Sequence, residues 1–526
     1  MPAAASHSQQ TSQGEHRELV RLARGGVVNL AGGIAAAGFG FAFAVVVARG
    51  LGVSDAGLFF GVTALSLMLT TFAQLGTTGG VVRMIASYLA TGHEQDVRRT
   101  LTVALVPVVG VSLVLAAALG ASAPLVARTL FQSANQHVAV EFLRITAAFL
   151  VVEATFGVLL RACQAFGAML PLVALGSIGV PVARFVGGLA AVAVGLGPTT
   201  MILVWFVPEI VGLAVASEWL RRLVRSAEPD RAGAATARPH RELGLEFWHY
   251  TVYQAFSTVV AIILLRLDVI LLGALDSSQA AAVYSAAGRY LVAGTTLLTA
   301  IVFVVGPQLA GMLSQERYSA ARLVYQTATL WLVAVSFPVF LTLATFAPVL
   351  MSVFGPRFLE GQTALTILAL AMLVNMGTGA VRAALSMGGR SGWVFMANLA
   401  ALAVNVGLNV VLIPRMGMDG AAIAWAASIV VGNLLPLGQV YRLWGLQPVS
   451  AGGLRVVVAT GLYGAVCILV RGVAGASPGS MIAATVAGLA VYGAALWLIR
   501  DDLRAHVFRE ALRVRRVRRA AQAEGA

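Results

Sequence analysis

Lysine is missing from this sequence, and charged residues of every kind are scarce. All 36 basic residues of the 526-residue chain are arginine. Only 11% of the residues are charged, whereas soluble globular chains carry about 25%. The Walker phosphate-binding loop needs a lysine, so the lack of lysine excludes ATP binding by such a loop. The low charge excludes water as the main solvent of the folded chain.

Cysteine and histidine are also too few for a disulfide framework or a metal site. The two cysteines, Cys163 and Cys467, lie in or beside apolar runs, and no two of the seven histidines have the i, i+4 spacing of a zinc site. The nucleophile-elbow motif of hydrolases is missing too. We therefore expect no metal, no cofactor and no catalytic residues.

Long apolar runs fill most of the chain. Hydrophobic residues make up 59% of it, and the mean hydropathy is +0.86. An apolar run of about 20 residues can cross a bilayer core of about 30 Å. We predict an all-α polytopic membrane protein with 14 transmembrane helices. The predicted spans lie near 26–48, 58–80, 100–120, 142–162, 170–194, 199–220, 248–273, 281–308, 325–350, 362–381, 392–413, 420–440, 455–474 and 480–499.

The distribution of arginine orients these spans. With the N-terminus in the cytoplasm, 27 arginines fall in cytoplasmic segments and 5 in outer loops. Cytoplasmic loops of membrane proteins carry such an excess of basic residues. We therefore predict that both termini are cytoplasmic. The net charge of +14 is then a signal of topology, and we expect no nucleic-acid partner.

Two halves of similar layout are joined by an arginine-rich segment. RACQAFGAML from Arg161 and RAALSMGGRS from Arg382 share Arg-Ala and a later glycine, at a spacing of 221 residues. Chance similarity between segments rich in alanine and glycine is the alternative to a repeat. Six helices per half would insert both halves in the same orientation. The predicted division is 1–24 as the cytoplasmic N-terminus, 25–220 as the N-terminal six-helix bundle, 221–245 as a cytoplasmic linker loop, 246–443 as the C-terminal six-helix bundle, 450–500 as extra helices 13 and 14, and 501–526 as a basic cytoplasmic tail.

Four segments together resemble a known family. They are ARGLGVSDAGLF at 48–59, LLRLDVILLG at 264–273, VYSAAGR at 283–289 and NVGLNVVLIPRMGMDGAAIAWAAS at 405–428. Their order and the layout in two halves resemble the polysaccharide exporter, or Wzx-type lipid-linked oligosaccharide flippase, family of the MOP (MATE-like) superfamily. The likeness runs from about residue 20 to residue 500.

The resemblance implies a fold, a substrate class and a location. The fold would be two six-helix bundles in a V around a central cavity, with two extra C-terminal helices. The substrate would be a polyprenyl-pyrophosphate-linked glycan, moved from the cytoplasmic to the outer leaflet of a bacterial cytoplasmic (inner) membrane by alternating access. The implied partners are membrane lipids and that glycan, with other polysaccharide-assembly proteins as further candidates. Lipid II flippases carry a basic residue in the middle of span 1, which this sequence lacks, so lipid II is a less favoured substrate.

Three charged residues fall near mid-depth in the first half: Glu153, Arg184 and Glu209. A charge inside a bilayer costs about 2.5–3.5 kcal/mol even on the lenient insertion scale, so each needs a partner or a wet cavity. One hypothesis is an ion pair or triad that holds the bundle together. The other is that Arg184 binds the substrate pyrophosphate, with a glutamate neutralising it between cycles. Such a glutamate could also couple transport to protons.

A second charged group falls in the outer third of spans 7 and 8. Arg266, Asp268 and Arg289 could form an Arg-Asp-Arg cluster with net positive charge. Arginine binds phosphate bidentately, so Arg266 and Arg289 are candidate substrate-binding residues and Asp268 a candidate for charge pairing. A structural clamp between the two spans is the alternative.

Span 11 carries a polar stripe. Asn398, Asn405 and Asn409 share one helical face because they follow each other at steps of seven and four. Asn405 and Asn409 are candidate substrate-binding residues that could bind sugar hydroxyls. Interhelical hydrogen bonding, at about 0.6 kcal/mol per contact, is the alternative.

Two other functions compete with the flippase. A MATE-like cation-coupled small-molecule exporter would need an acidic site in its cavity. A membrane polymerase or ligase would need a large outer loop with catalytic side chains. The longest outer loop, near 121–141, offers only Arg128, His137 and Glu141 as titratable groups. We therefore expect no enzyme activity.

Overall fold

The computed structural model of the protein describes residues 3–131, 135–227 and 238–499, with most side chains described from residue 31 onward. The predicted tail at 501–526 and residues 228–237 of the predicted linker lie outside the described residues. No strand occurs in the ranges that the structure describes.

The described chain is a series of helices. In order, these are α1 (Ala3–Gln74), α2 (Thr77–Thr91), α3 (Val97–Leu130), α4 (Gln136–Ala165), α5 (Met169–Pro171), α6 (Val180–Ala193), α7 (Pro198–Ala227), α8 (His240–Leu275), α9 (Ser278–Ser314), α10 (Tyr318–Thr345), α11 (Ala347–Ser352), α12 (Gln362–Gly377), α13 (Val381–Met387), α14 (Ser391–Trp444), α15 (Ala451–Ala474) and α16 (Pro478–Leu498). A π-helical segment, Leu172–Gly179, joins α5 to α6.

Eleven stretches of the described residues are helical, long and apolar enough to cross a membrane. Each of α1 and α14 counts once among them, although both contain a residue outside the helical region. Helices satisfy their own backbone hydrogen bonds, which lipid cannot do for them. The predicted all-α polytopic class is confirmed.

Glycines with positive φ interrupt α1 between predicted spans 1 and 2, and α14 between predicted spans 11 and 12. Gly52 has φ 75° and Gly417 has φ 55°, values that favour glycine. A β-carbon at Gly420 would lie 2.5 Å from the backbone oxygen of Leu412. Eight residues of straight helix would separate these two positions by about 12 Å. The chain therefore folds back on itself at Gly417, between the predicted spans 11 and 12.

Packing divides the chain into two compact units. The first comprises Met1–Arg289 and Asn409–Ala421, and the second comprises Tyr290–Leu408 and Ala422–Ala526. The first unit holds a buried core that includes Ile85, Val158 and Phe247. In the second unit, separate cores surround Tyr325 and Tyr463. The predicted six-helix bundles at 25–220 and 246–443 stay predictions.

Glycines let helices of the first unit approach each other closely. A β-carbon at Gly80 of α2 would lie 2.4 Å from Oγ1 of Thr251 in α8. One at Gly57 of α1 would lie 1.6 Å from the backbone oxygen of Ser278, where α9 begins. Small residues at such contacts are how membrane helices pack backbone against backbone. These contacts fix α8 and α9, which carry predicted site residues, against α1 and α2.

A buried carboxylate ties the residues before α8 to those before α3. Asp96 is fully buried and accepts hydrogen bonds from the backbone nitrogen and Nε of Arg238, at 3.0 and 2.7 Å. Nη1 of Arg238 also donates to Glu246 at 3.0 Å. The hydrogen bond to Asp96 raises the pKa of Arg238, and burial raises the pKa of the neighbouring Tyr88 phenol. We call the contact of Asp96 with Arg238 the Asp96 latch.

Candidate functional site

The first charged group lies inside the first unit, where α6 meets α7. Nη2 of Arg184 lies 2.6 Å from Oε1 of Glu209, and both side chains are nearly buried, at 13% and 8% exposure. Nε of Arg184 donates to the backbone oxygen of Trp205 at 2.8 Å, and the guanidinium stacks 3.6 Å from the centre of the Trp205 ring. Arg184 is thus held on three sides. The other oxygen of Glu209, Oε2, is buried without a hydrogen-bond partner among the described residues.

The π-helical segment Leu172–Gly179 directly precedes α6 and affects the direction in which Arg184 leaves that helix. Pro181 follows the segment and lacks the N–H that would bond the carbonyl of Ser177. A widened turn is one way to accommodate that loss, and π-bulges often occur at functional sites. The segment rotates α6 relative to a continuous α-helix. The sequence signal for this segment is Gly179 followed closely by Pro181.

Glu153 is held separately from this pair. Its Oε2 accepts hydrogen bonds from Ser66 at 2.5 Å and Thr70 at 2.9 Å, one helical turn apart on α1. The Glu153 residue is 7% exposed. Arg184 is near enough to stabilise the carboxylate electrostatically, although within the described residues its ion pair is with Glu209. The structure therefore joins two of the three predicted residues directly and places the third beside them.

Asp268 is the centre of a buried hydrogen-bonded group. Its Oδ2 accepts from the Tyr284 hydroxyl at 3.1 Å, and its Oδ1 accepts from Nδ2 of Asn409 at 2.7 Å. Asp268 is 2% exposed and Asn409 is fully buried. The group joins α8, α9 and α14. For Asn409 this is the interhelical contact that the sequence left open as an alternative to sugar binding.

Among the described residues, neither Arg266 nor Arg289 lies within ion-pair distance of Asp268. Residues two apart on a helix point about 200° away from each other, so Arg266 and Asp268 leave α8 on different faces. Nε of Arg266 is buried and has no hydrogen-bond partner within the described part of the chain. The guanidinium of Arg289 lies 5.7 Å from the centre of the Phe60 ring. In the part of the chain that the structure describes, neither arginine forms an ion pair.

Arg184, Arg266 and Arg289 lie close enough for electrostatic repulsion to act on Arg289. Arg289 is repelled by the charges of both Arg266 and Arg184. Of these three arginines, only Arg184 has a carboxylate within ion-pair distance among the described residues. Asp268 accepts hydrogen bonds from Tyr284 and Asn409, and the predicted Arg-Asp-Arg cluster stays a prediction.

The remaining predicted residue, Asn405, lies in the second unit and is fully buried. Asn398 of the same stripe is also buried, at 8% exposure. Their shared face is therefore a packed face of α14. Sequence reasoning missed Ser66, Thr70 and Tyr284 as partners of the buried acids.

Comparison with known proteins places the chain in a family. Residues 22–313 match the model of the family described as "Polysaccharide biosynthesis protein". The chain belongs to that family. No curated protein matches it significantly. The matched residues contain the three arginines and the three acids of the site.

Solved structures with the same fold include a lipid II flippase and MATE family transporters. The lipid II flippase MurJ, in an inward closed conformation, is 13% identical with a TM-score of 0.69, over 90% of this chain and 98% of that one. An inward-facing multidrug resistance MATE family transporter is 16% identical with a TM-score of 0.63, over 81% and 100%. A eukaryotic MATE transporter is 18% identical with a TM-score of 0.57, over 81% and 96%. At these identities the likeness establishes the fold.

Proposed function

We propose that this member of the family is a flippase for a polyprenyl-pyrophosphate-linked oligosaccharide. It would carry this lipid from the cytoplasmic to the outer leaflet of a bacterial cytoplasmic membrane by alternating access, as a step in making surface polysaccharide. The observation that carries the proposal is the arginine group, in which Arg266 and Arg289 have no carboxylate partner among the described residues. Family membership and the MurJ-like and MATE-like fold support a membrane transporter.

The charge of the substrate matches the needs of these arginines. An unpaired charge at membrane depth is costly, so it is retained where it contacts a charged ligand or water. A pyrophosphate supplies several anionic oxygens, and the planar guanidinium binds such oxygens two at a time. The acids nearby are occupied, because Glu153 and Asp268 accept hydrogen bonds from hydroxyl and amide groups. They therefore leave the arginines to the substrate.

Arg184 would join the site only when the substrate is bound. Its ion pair with Glu209 neutralises its charge as long as no substrate competes for the guanidinium. A pyrophosphate would compete with Glu209 for the guanidinium, and the released carboxylate would then need a proton or a new donor. This exchange offers one way to couple binding to the next step of the cycle.

The architecture follows from the same proposal. If the two halves of α1 and of α14 are counted separately and α9 is added, the eleven helical stretches become the 14 spans of the sequence prediction. We propose that both termini are cytoplasmic and that α15 and α16 are additions to two six-helix bundles. Other polysaccharide-assembly proteins stay candidate partners.

A cation-coupled exporter of small molecules is the second candidate. The observation that favours it is Glu153, a buried carboxylate ringed by hydroxyls near a second acid, Glu209. Such a pair could exchange protons or hold a cation. Under this alternative, substrates would be cationic and the arginines would be structural.

The experiment is export of polysaccharide by cells that depend on this chain. Arg184→Ala, Arg266→Ala and Arg289→Ala should each abolish surface polysaccharide while the protein stays in the membrane. Arg144→Ala is the matched control, since Arg144 is an exposed arginine on α4. Full export by all three site variants would refute the assignment of arginine to the substrate charge.

A further inference from the structure

A cleft on the first unit is distinct from the proposed transport site. It encloses about 400 Å³ between α3, α4 and α7. Thr155 of α4 lines it, whereas Glu153, two residues earlier, belongs to the charged group. Two helical residues at this spacing point about 200° apart. The cleft therefore opens on the face of α4 that is turned away from Glu153.

The mouth of the cleft is basic. Arg98 near the start of α3, and Arg221 and Arg225 near the end of α7, line it. Arg221 and Arg225 share one face of α7 because they are four residues apart. Both are exposed and form no ion pair in the ranges that the structure describes. The nearby Glu218 pairs with Arg222, which does not line the cleft.

The wall below the arginines is apolar. The aliphatic side chains that form it are Leu101, Leu105, Leu159, Leu220 and Val224. Two hydroxyl side chains interrupt this wall. Ser217 donates its hydrogen bond to the backbone oxygen of Leu213, whereas Oγ1 of Thr155 is buried and has no hydrogen-bond partner among the described residues. A buried hydroxyl without a partner costs free energy unless a ligand or water satisfies it. The cleft thus combines a cationic rim, an aliphatic wall and one unsatisfied hydroxyl.

We propose that this cleft binds one anionic phospholipid of the cytoplasmic leaflet. The headgroup phosphate would contact Arg221 and Arg225, and an acyl chain would lie along the aliphatic wall. A glycerol ester oxygen of the same lipid would be within reach of the Thr155 hydroxyl. Basic pockets between transmembrane helices on the cytoplasmic side are suited to anionic headgroups. The leaflet follows from the proposed topology, which places the start of α3 and the end of α7 in the cytoplasm. A soluble anion would make no use of the aliphatic wall.

The test is a lipid titration of the purified full-length protein, read by native mass spectrometry. Wild-type protein should bind one phosphatidylglycerol at least about tenfold more tightly than phosphatidylcholine, and glycerol 1-phosphate should not compete. The double variant Arg221→Gln with Arg225→Gln should lose about 30-fold in affinity, the effect of two basic residues at an anionic surface. The matched double variant Arg222→Gln with Arg241→Gln removes the same charge outside the cleft and should lose less than about threefold.

A third variant tests the wall without changing charge. Leu105→Trp fills part of the cleft and should reduce phosphatidylglycerol binding about tenfold or more, since the acyl chain loses its place. If the double variant Arg221→Gln with Arg225→Gln fails to fold, Leu105→Trp still tests whether the cleft binds the lipid. Three results would overturn the proposal: equal losses in the two double variants, unchanged binding by Leu105→Trp, or competition by glycerol 1-phosphate as strong as that of the lipid.

Discussion

Removing Glu209 and removing Arg184 should lower the stability of the protein by different amounts. Breaking a nearly buried ion pair from one side costs about 3–5 kcal/mol, because an uncompensated charge stays behind. Glu209→Leu leaves a guanidinium, which cannot lose its charge in a protein. Arg184→Met leaves a carboxyl, which can take up a proton. We therefore expect Glu209→Leu to lower the free energy of unfolding by about 3 kcal/mol, since Trp205 still holds the guanidinium. Arg184→Met should lower it by about 1–2 kcal/mol less than Glu209→Leu does.

The double variant separates structure from function. Replacing a buried pair by apolar residues of similar volume is often neutral or stabilising, so Arg184→Met with Glu209→Leu should be more stable than Glu209→Leu alone. If Arg184 contacts the pyrophosphate, this stable variant should still fail to transport. If the pair is only a clamp, transport should return with stability.

The assay is thermal unfolding of the four proteins in one detergent, followed by fluorescence-detected gel filtration, with transport measured on the same preparations. The expected order of stability is wild type and double variant above Arg184→Met, and Arg184→Met above Glu209→Leu. A Glu209→Leu protein as stable as wild type would refute the reasoning, as would a double variant less stable than both single ones.

Three further changes test contacts elsewhere in the chain. Gly57→Ala should lower stability by about 1–3 kcal/mol or more, because its β-carbon would lie 1.6 Å from a backbone oxygen. Gly38→Ala, where the space is open, is the control, and equal melting temperatures would contradict the packing. Asn409→Leu should cost about 1–3 kcal/mol in thermal unfolding by removing a donor from buried Asp268, and an unchanged midpoint would argue against that hydrogen bond. Asp96→Ala should open the Asp96 latch, speeding amide hydrogen exchange at residues 238–246, and unchanged exchange would mean that the latch contributes nothing.

The helices and their corners could be predicted from the sequence. Apolar runs longer than a bilayer is thick leave helices as the structure available to them. Gly417 could be placed at a corner because it follows Pro414 at the end of an apolar run. The contact between Arg184 and Glu209 could also be predicted, since opposite charges buried at similar depth in a membrane are stabilised by pairing.

The partners of the buried acids could not be predicted in the same way. Sequence periodicity shows which residues of one helix share a face, but the rotation of that face toward a neighbour is set by packing. Tyr284 therefore gave no sign that it would reach Asp268. Ser66 and Thr70 share a face of α1, yet nothing in the sequence aimed that face at Glu153. The π-helical segment adds a rotation to α6 that regular helical periodicity does not contain.

The most direct measurement is the initial rate of lipid flipping in proteoliposomes, using a fluorescent polyprenyl-pyrophosphate oligosaccharide and a membrane-impermeant quencher. Wild-type protein and Arg144→Gln should flip this lipid, whereas Arg266→Gln and Arg289→Gln should be slower by at least about tenfold, the effect of losing a charge-assisted hydrogen bond to phosphate. The same oligosaccharide on a polyprenol without phosphate should not be moved. Equal flipping of the charged and uncharged lipids by wild-type protein would contradict the central claim that buried arginine recognises the pyrophosphate.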